Sequence, residues 1–97
     1  MKKYKFARLY YDFIPNEFVF SCTDLKLVDE IISELQKMFP QAKLKTGKNW
    51  LTLKKFNDDK GSEAKWWLIT SLCEKGWEPF STEMNGREIY FRFEYVE

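Results

Sequence analysis

The sequence predicts an α+β domain, a two-layer sandwich in which an antiparallel sheet of about six short strands carries two helices on one face. Three observations predict it. Short runs alternating apolar with polar positions, the period-2 mark of a half-buried strand, occur in pairs. Two other stretches space their apolar residues at the helical period. The order is strand, strand, helix, two strands, helix, two strands, and helix followed by hairpin occurs twice, as a duplicated unit would show. Ninety-seven residues suit one domain over 1–97, because a second core would be too small to stand alone.

The first run spans Lys3 to Phe13. Ala7, Leu9, Tyr11 and Phe13 share one side, and Tyr4, Phe6, Arg8, Tyr10 and Asp12 share the other. Pro15-Asn16 is turn chemistry. Phe18, Phe20 and Cys22 then return on the side of Tyr11 and Leu9. Thr23 or Asp24 caps the first helix by accepting an orphan backbone N–H. Leu25, Val28, Ile31, Ile32, Leu35, Met38 and Phe39 follow helical spacing, and Pro40 ends it because the residue before proline avoids the α region.

A second hairpin joins Ala42–Thr46 to Asn49–Phe56 about Gly47-Lys48, the pattern of a type II′ turn. Ala42, Leu44, Leu51 and Leu53 form its apolar side; Lys43, Lys45, Trp50, Thr52, Lys54 and Phe56 form the other. From Leu35 to Asn57 there are six lysines and no acid. Asn57 to Gly61 reads as a loop. Ser62 is the expected cap of the second helix, whose apolar arc takes Trp66, Leu68, Ile69, Leu72 and Cys73. On that wheel Trp66 is buried and Trp67 at least partly exposed.

Lys75-Gly76-Trp77 reads as a helix end. Gly76 supplies the left-handed residue, and Trp77 packs back on Leu72. Asn85-Gly86 is the strongest short hairpin signal in the chain. Counting outward from it, Thr82 faces Ile89 and Phe80 faces Phe91. Phe80, Met84, Ile89, Phe91, Phe93 and Tyr95 then form the core side. Trp77, Ser81, Glu83, Glu88, Tyr90, Arg92 and Glu94 form the outer side. The helix leucine Leu72, the Gly76-Trp77-Glu78 step and the strand Tyr90-Phe91-Arg92 resemble a group of small bacterial domains of unknown function. The resemblance covers the last third of the chain and departs from the pattern at Pro79. It implies a small helix-on-sheet fold and assigns no functional residue.

The chemistry that composition excludes is extensive. There is no histidine, which removes the commonest general base and metal ligand. Cys22 and Cys73 are too few and too far apart for a zinc site, and both read as small core hydrophobes. Asp58-Asp59 lacks the spacing of a calcium loop and reads as a solvated turn. Glu83 and Glu88 oppose each other across the last hairpin. A carboxylate pair can do acid–base work, but opposed surface acids are more often a small local cost. No glycine-rich phosphate loop occurs. The expectation is therefore a protein that is not an enzyme, with no cofactor and no metal. The first residues, Met1-Lys2-Lys3-Tyr4-Lys5, lack the apolar region of a secretory signal, no run reaches the ~20 apolar residues of a membrane span, and two isolated cysteines suit a reducing compartment. The expected location is cytoplasmic, with no membrane partner.

What remains is surface. Aromatic residues make up 19% of the chain, more than one small core can hide. The sheet side away from the helices should present Lys43, Lys45, Trp50, Lys54, Tyr90 and Arg92, with Tyr10 and Arg8 beside them. Such a face can hold phosphates and stack bases, although the basic-Gly-aromatic signature of RNA-recognition modules is absent. Lysines on edge strands more commonly block aggregation, with rings packed under their stems. Trp50, Trp67 and Trp77 can alternatively anchor a protein, since tryptophan is enriched at binding hot spots. The leading expectation is a protein-interaction module, either an adaptor, an inhibitor or a self-associating subunit. Its partner is a protein or a second copy. Single-stranded RNA or DNA binding is the alternative, and the net charge of +1 gives it little long-range pull.

Overall fold

The computed structural model describes residues 1–12, 17–40, 43–54, 58–83 and 87–96, with side chains at all of these except 12, 54 and 58–63. The turns expected at Pro15-Asn16 and Asn85-Gly86, with Phe13, Ala42, Phe56, Asn57 and Met84, lie outside them. Strands β1 (Lys2–Asp12) and β2 (Glu17–Cys22) lead to α1 (Leu25–Met38). Strands β3 (Lys43–Thr46) and β4 (Trp50–Lys54) lead to α2 (Asp58–Glu74), and β5 (Glu78–Glu83) and β6 (Glu88–Val96) close the chain. All six strands join one antiparallel sheet in the order β3-β4-β2-β1-β6-β5. Each helix-plus-hairpin unit puts its first strand at an edge and its second beside the central β1–β2 pair.

Strand parity decides which residues meet the helices. Ala7 pairs with Cys22, Leu9 with Phe20 and Tyr11 with Phe18. Phe20 in turn pairs with Leu51 and Phe18 with Leu53. These residues, Tyr11 only in part, bury against Leu27, Val28, Ile31 and Leu35 of α1 and Ala64, Leu68 and Leu72 of α2, with Phe91 of β6. Burying each large side chain stabilises the fold by about 1.5–3 kcal/mol. Both helices therefore lie on one face, as the alternation predicts.

Asp24 is the helix cap: its carboxylate accepts from the Lys26 and Leu27 backbone N–H at 3.1 and 3.5 Å. The α1 stripe is turned slightly from expectation, because Leu27 is buried while Leu25 and Met38 are exposed. Helix α2 begins at Asp58, so Ser62 lies inside it rather than capping it. An interior glycine costs such a helix only ~1 kcal/mol. The α2 face is also rotated. Ala64 and Ser71 are buried, Trp66 is 61% exposed and Cys73 is exposed. Ala64 joins the core with Leu68 and Leu72, while Ser71 turns toward α1, where its hydroxyl donates to Glu34 at 3.3 Å.

The helix end follows the sequence closely. Gly76 has φ of 93°. The Trp77 N–H donates to the Leu72 carbonyl at 2.9 Å, and the Gly76 N–H donates to the Cys73 carbonyl at 3.0 Å. These are the two bonds of a Schellman cap. The cap turns Trp77 inward, where it is buried and packs 5.5 Å from the Phe93 ring. Trp77 is thus core and not outer surface.

The last hairpin keeps the expected register from Glu83↔Glu88 to Thr82↔Ile89. The register then slips: Ser81 pairs with Tyr90, but Pro79 pairs with Phe91. Phe80 is the extra residue of a β-bulge. It leaves the core side for the opposite face, where it is 43% exposed. Proline lacks an N–H for a ladder, which is why it collects at edges and bulges.

Candidate interaction surface

The sheet face away from the helices is built by the other strand parity. Its rows run across strands: Trp50, Ser21, Arg8, Tyr90 and Ser81 form one, and Tyr10 with Glu88 and Glu83 another. Below them come Phe6 with Arg92 and Glu78, then Tyr4 with Glu94.

On β1, β6 and β5 these rows bring rings together. Phe6 stands edge-on to Phe80 at 5.8 Å, Tyr4 lies 6.4 Å from Phe6, and Phe80 lies 6.4 Å from Tyr90. The Arg92 guanidinium covers the rings of both Tyr4 and Phe80, at 5.3 and 5.4 Å. Tyr4, Phe6 and Phe80 are 42%, 50% and 43% exposed. Rings that already contact one another hold a fixed arrangement, so a partner meets them at little ordering cost. Phe6 and Tyr4 were placed on the outer side by alternation alone. Phe80 was not, because no alternation pattern announces a bulge.

The charges of this patch are paired. Arg8 Nε donates to Glu88 Oε1, and the Tyr90 hydroxyl donates to the same oxygen at 2.6 Å. Glu88 is buried despite facing outward. The Tyr90 hydrogen bond holds its carboxyl below the ordinary range, aided by Arg8 and opposed by burial. The same bond pushes the Tyr90 phenol up. Arg92 reaches Glu78 at 3.5 Å, and Lys2 reaches Glu94 at 3.2 Å.

The residues singled out from sequence do not assemble into one site. Tyr90 and Arg92 belong to the ring patch. Lys43 and Lys45 stand on the β3 edge, with β4, β2 and β1 between them and β6. Lys54 takes its place opposite Lys43 and Glu17, and its side chain is outside the described residues. Trp50 is half-buried, and its indole lies over Gly47, so close that a Cβ there would sit 2.1 Å from the indole nitrogen. Gly47 does not take the left-handed conformation of a type II′ turn; it leaves room for this ring. Trp67 packs into the groove between the helices, 6.2 Å from Phe39. Trp66, expected to be buried, is the more exposed of the pair, while Trp67 is partly exposed as its wheel position predicts.

Two hollows lie on the helix side. One of about 400 Å³ between α1 and α2 is lined by Trp67, Ser71, Glu34 and Lys75, among others. There Lys75 reaches Glu34 at 2.9 Å and Glu30 at 3.4 Å, which raises its pKa, chiefly through the Glu34 hydrogen bond. The other, about 240 Å³, holds the Lys5–Asp24 pair at 3.1 Å beside Trp77 and Phe93. These charges clasp helix to helix and helix to sheet. Burial pushes the Cys22 thiol up, which suits a packing residue rather than a nucleophile. Among the described residues no cluster of three potential metal ligands occurs, and no helix is long and apolar enough to cross a membrane.

No family model, no curated protein and no solved structure matches the chain.

Proposed function

We propose that this chain is a non-catalytic protein-interaction module whose contact surface is the open sheet face around Tyr4, Phe6, Phe80 and Arg92. One observation carries the reading: three rings, Phe6 in contact with both Tyr4 and Phe80, stand at least two-fifths exposed on a face that no element of the described chain covers. Aromatic and arginine side chains of this kind dominate binding energy at protein interfaces. Nucleic-acid binding is the weaker reading. Arg8 and Arg92 are already held by Glu88 and Glu78, and the β3 lysines are remote from the rings. A cytoplasmic location fits the two free thiols, one of them exposed.

The test is a Phe6→Ser/Phe80→Ser variant compared with wild type in partner capture and in titrations with short RNA and DNA. Circular dichroism should be unchanged, and capture should weaken by about 30-fold or more, the ~2 kcal/mol of a hot spot. Equal capture by both proteins would remove the patch as the interface. Oligonucleotide binding that falls steeply with salt would transfer the proposal to nucleic acid.

A further inference from the structure

We propose that the β3 edge is a second docking site, to which an extended acidic segment of another protein adds as a further strand of the sheet, with alternate carboxylates against Lys43 and Lys45. This site is separate from the ring patch, since β4 and β2 stand between β3 and the first ring-bearing strand, β1.

The backbone supplies the docking groups. The Gly47 N–H donates to the Trp50 carbonyl at 2.9 Å, so these residues form a hydrogen-bonded pair at the end of the hairpin. Bonded and non-bonded pairs alternate along an antiparallel ladder. Lys45 with Thr52 and Lys43 with Lys54 are therefore the bonded pairs, and Leu44 and Thr46 turn their N–H and C=O groups away from β4. The far side of β4 has the same phase: the Cys22 N–H donates to the Asn49 carbonyl at 3.0 Å, which gives Leu51 and Leu53 to β2 and Thr52 to β3. Since β3 ends the sheet on its side, an added strand can take up the outward groups, as in peptide recognition by strand addition. The β5 edge has no such regular row, because its register breaks between Pro79 and Ser81 and proline has no N–H to offer.

Charge selects the occupant. Lys43 and Lys45 are exposed, and neither makes an ion pair among the described residues. They belong to the segment of six lysines without an acid. The register sets Lys43 against Lys54, and like charges directly opposite are unfavourable. Glu17, the acid opposite Lys54, stands on the far side of β4. In the ring patch, by contrast, Lys2, Arg8 and Arg92 each hold a carboxylate. An added strand alternates its side chains as β3 does. Acids opposite Lys43 and Lys45 complete cross-strand pairs of opposite charge, and apolar residues fit opposite Leu44, which packs against the core. The same lysines oppose a second β3, because that pairing brings lysines together. A nucleic acid matches the lysines but not the row of N–H and C=O groups, and Trp50 is half-buried over Gly47 rather than open to a base.

The probe is a blocked peptide of about six residues, the usual strand length, alternating glutamate with valine. It is titrated into the whole chain and followed by amide NMR at low and high salt. The Leu44 and Thr46 amides should shift and become protected from exchange, and affinity should fall as salt screens the pairs. Lys43→Gln/Lys45→Gln should weaken binding by ~10-fold or more. Lys43→Glu/Lys45→Glu should reverse the preference, taking the same peptide with lysine in place of glutamate. Both positions are exposed, and circular dichroism checks that the variants fold. Phe6→Ser/Phe80→Ser should bind the peptide as wild type does, which keeps this site apart from the ring patch. No response at ~1 mM peptide, the weak end of measurable affinity, overturns the proposal. So does equal binding of a peptide methylated on its backbone nitrogens, because charge alone would then explain the contact. Loss of binding in Phe6→Ser/Phe80→Ser would move the peptide to the open face, and tighter binding of an oligonucleotide of equal charge would make the lysines a phosphate site; either result also overturns the edge.

Discussion

Glu88 shows how one residue ties the outer face to the fold. Its carboxylate is buried and bonded by Arg8 and Tyr90, and the Tyr90 ring lies 6.4 Å from Phe80 in the patch. Removing the charge leaves Arg8 without its counter-ion, so Glu88→Gln should cost about 1–3 kcal/mol at neutral pH. The pH dependence has a definite sign. The Tyr90 hydrogen bond, helped by Arg8 and opposed by burial, keeps the folded pKa below the ordinary 4.5. A depressed carboxyl adds stability that is complete above the unfolded value and lost as pH falls through the folded one. Urea unfolding at pH 7 and near pH 3 should therefore show a gap between wild type and Glu88→Gln that narrows in acid. Asp24, also lowered despite its burial because Lys5 and the helix N–H groups bond it, remains in both proteins and cancels in the comparison. A gap of the same size at both pH values would show that Glu88 acts through packing alone.

At the scale of elements, the end of α2 was the most legible feature and its beginning the least. Gly76 is written in the sequence because only a residue free of a Cβ sits easily at positive φ. The structure adds that a Cβ there would lie 3.1 Å from the Phe93 ring. Gly76→Ala should thus lose about 1 kcal/mol to backbone strain and more to the ring. A melting midpoint lower by roughly 4–8 °C per kcal/mol checks it, and an unchanged midpoint would refute the cap. The start of α2, the rotation of its inner face and the Phe80 bulge were not legible, for related reasons. Periodicity weighs apolar bulk, so it drew the α2 arc toward Trp66 and Cys73. The true inner face runs through Ala64, Leu68 and Leu72, with Ser71 buried against α1, and neither a small residue nor a hydroxyl carries weight in an apolar count. Counting strand partners from a turn assumes an unbroken register, and a single extra residue at Phe80 moved a large ring from core to surface. The strand parities of β2 and β4 held because each has one wholly apolar side, and that of β1 because its stretch from Ala7 to Tyr11 does. The candidate surface was half visible: Tyr4, Phe6, Tyr90 and Arg92 follow from parity, but their meeting with Phe80 depends on the bulge.

The whole molecule is an open sheet with one face covered, which leaves two routes to association. Face packing about a two-fold closes on itself and stops at two copies. Edge pairing through β3 leaves only the β5 edges outside, and their proline and bulge stop it at two copies as well. Lys43 and Lys45 stand exposed on the β3 edge, beside Leu44, which faces the core. Replacing both with valine would turn Lys-Leu-Lys-Thr into a flat apolar strand with free N–H and C=O groups along one side. Strands of this kind recruit further chains unless charge or a bulge prevents it. The expected outcome for Lys43→Val/Lys45→Val is a β3-to-β3 dimer in sedimentation at concentrations where wild type associates less. It should persist when Phe6→Glu is added, because the face is not used. The β5 edge offers the contrast, since its proline and bulge remain. If the double valine variant sediments as wild type does, the lysines are ordinary surface charges. If Phe6→Glu suppresses the association, the copies assemble through the face and the edge plays no part.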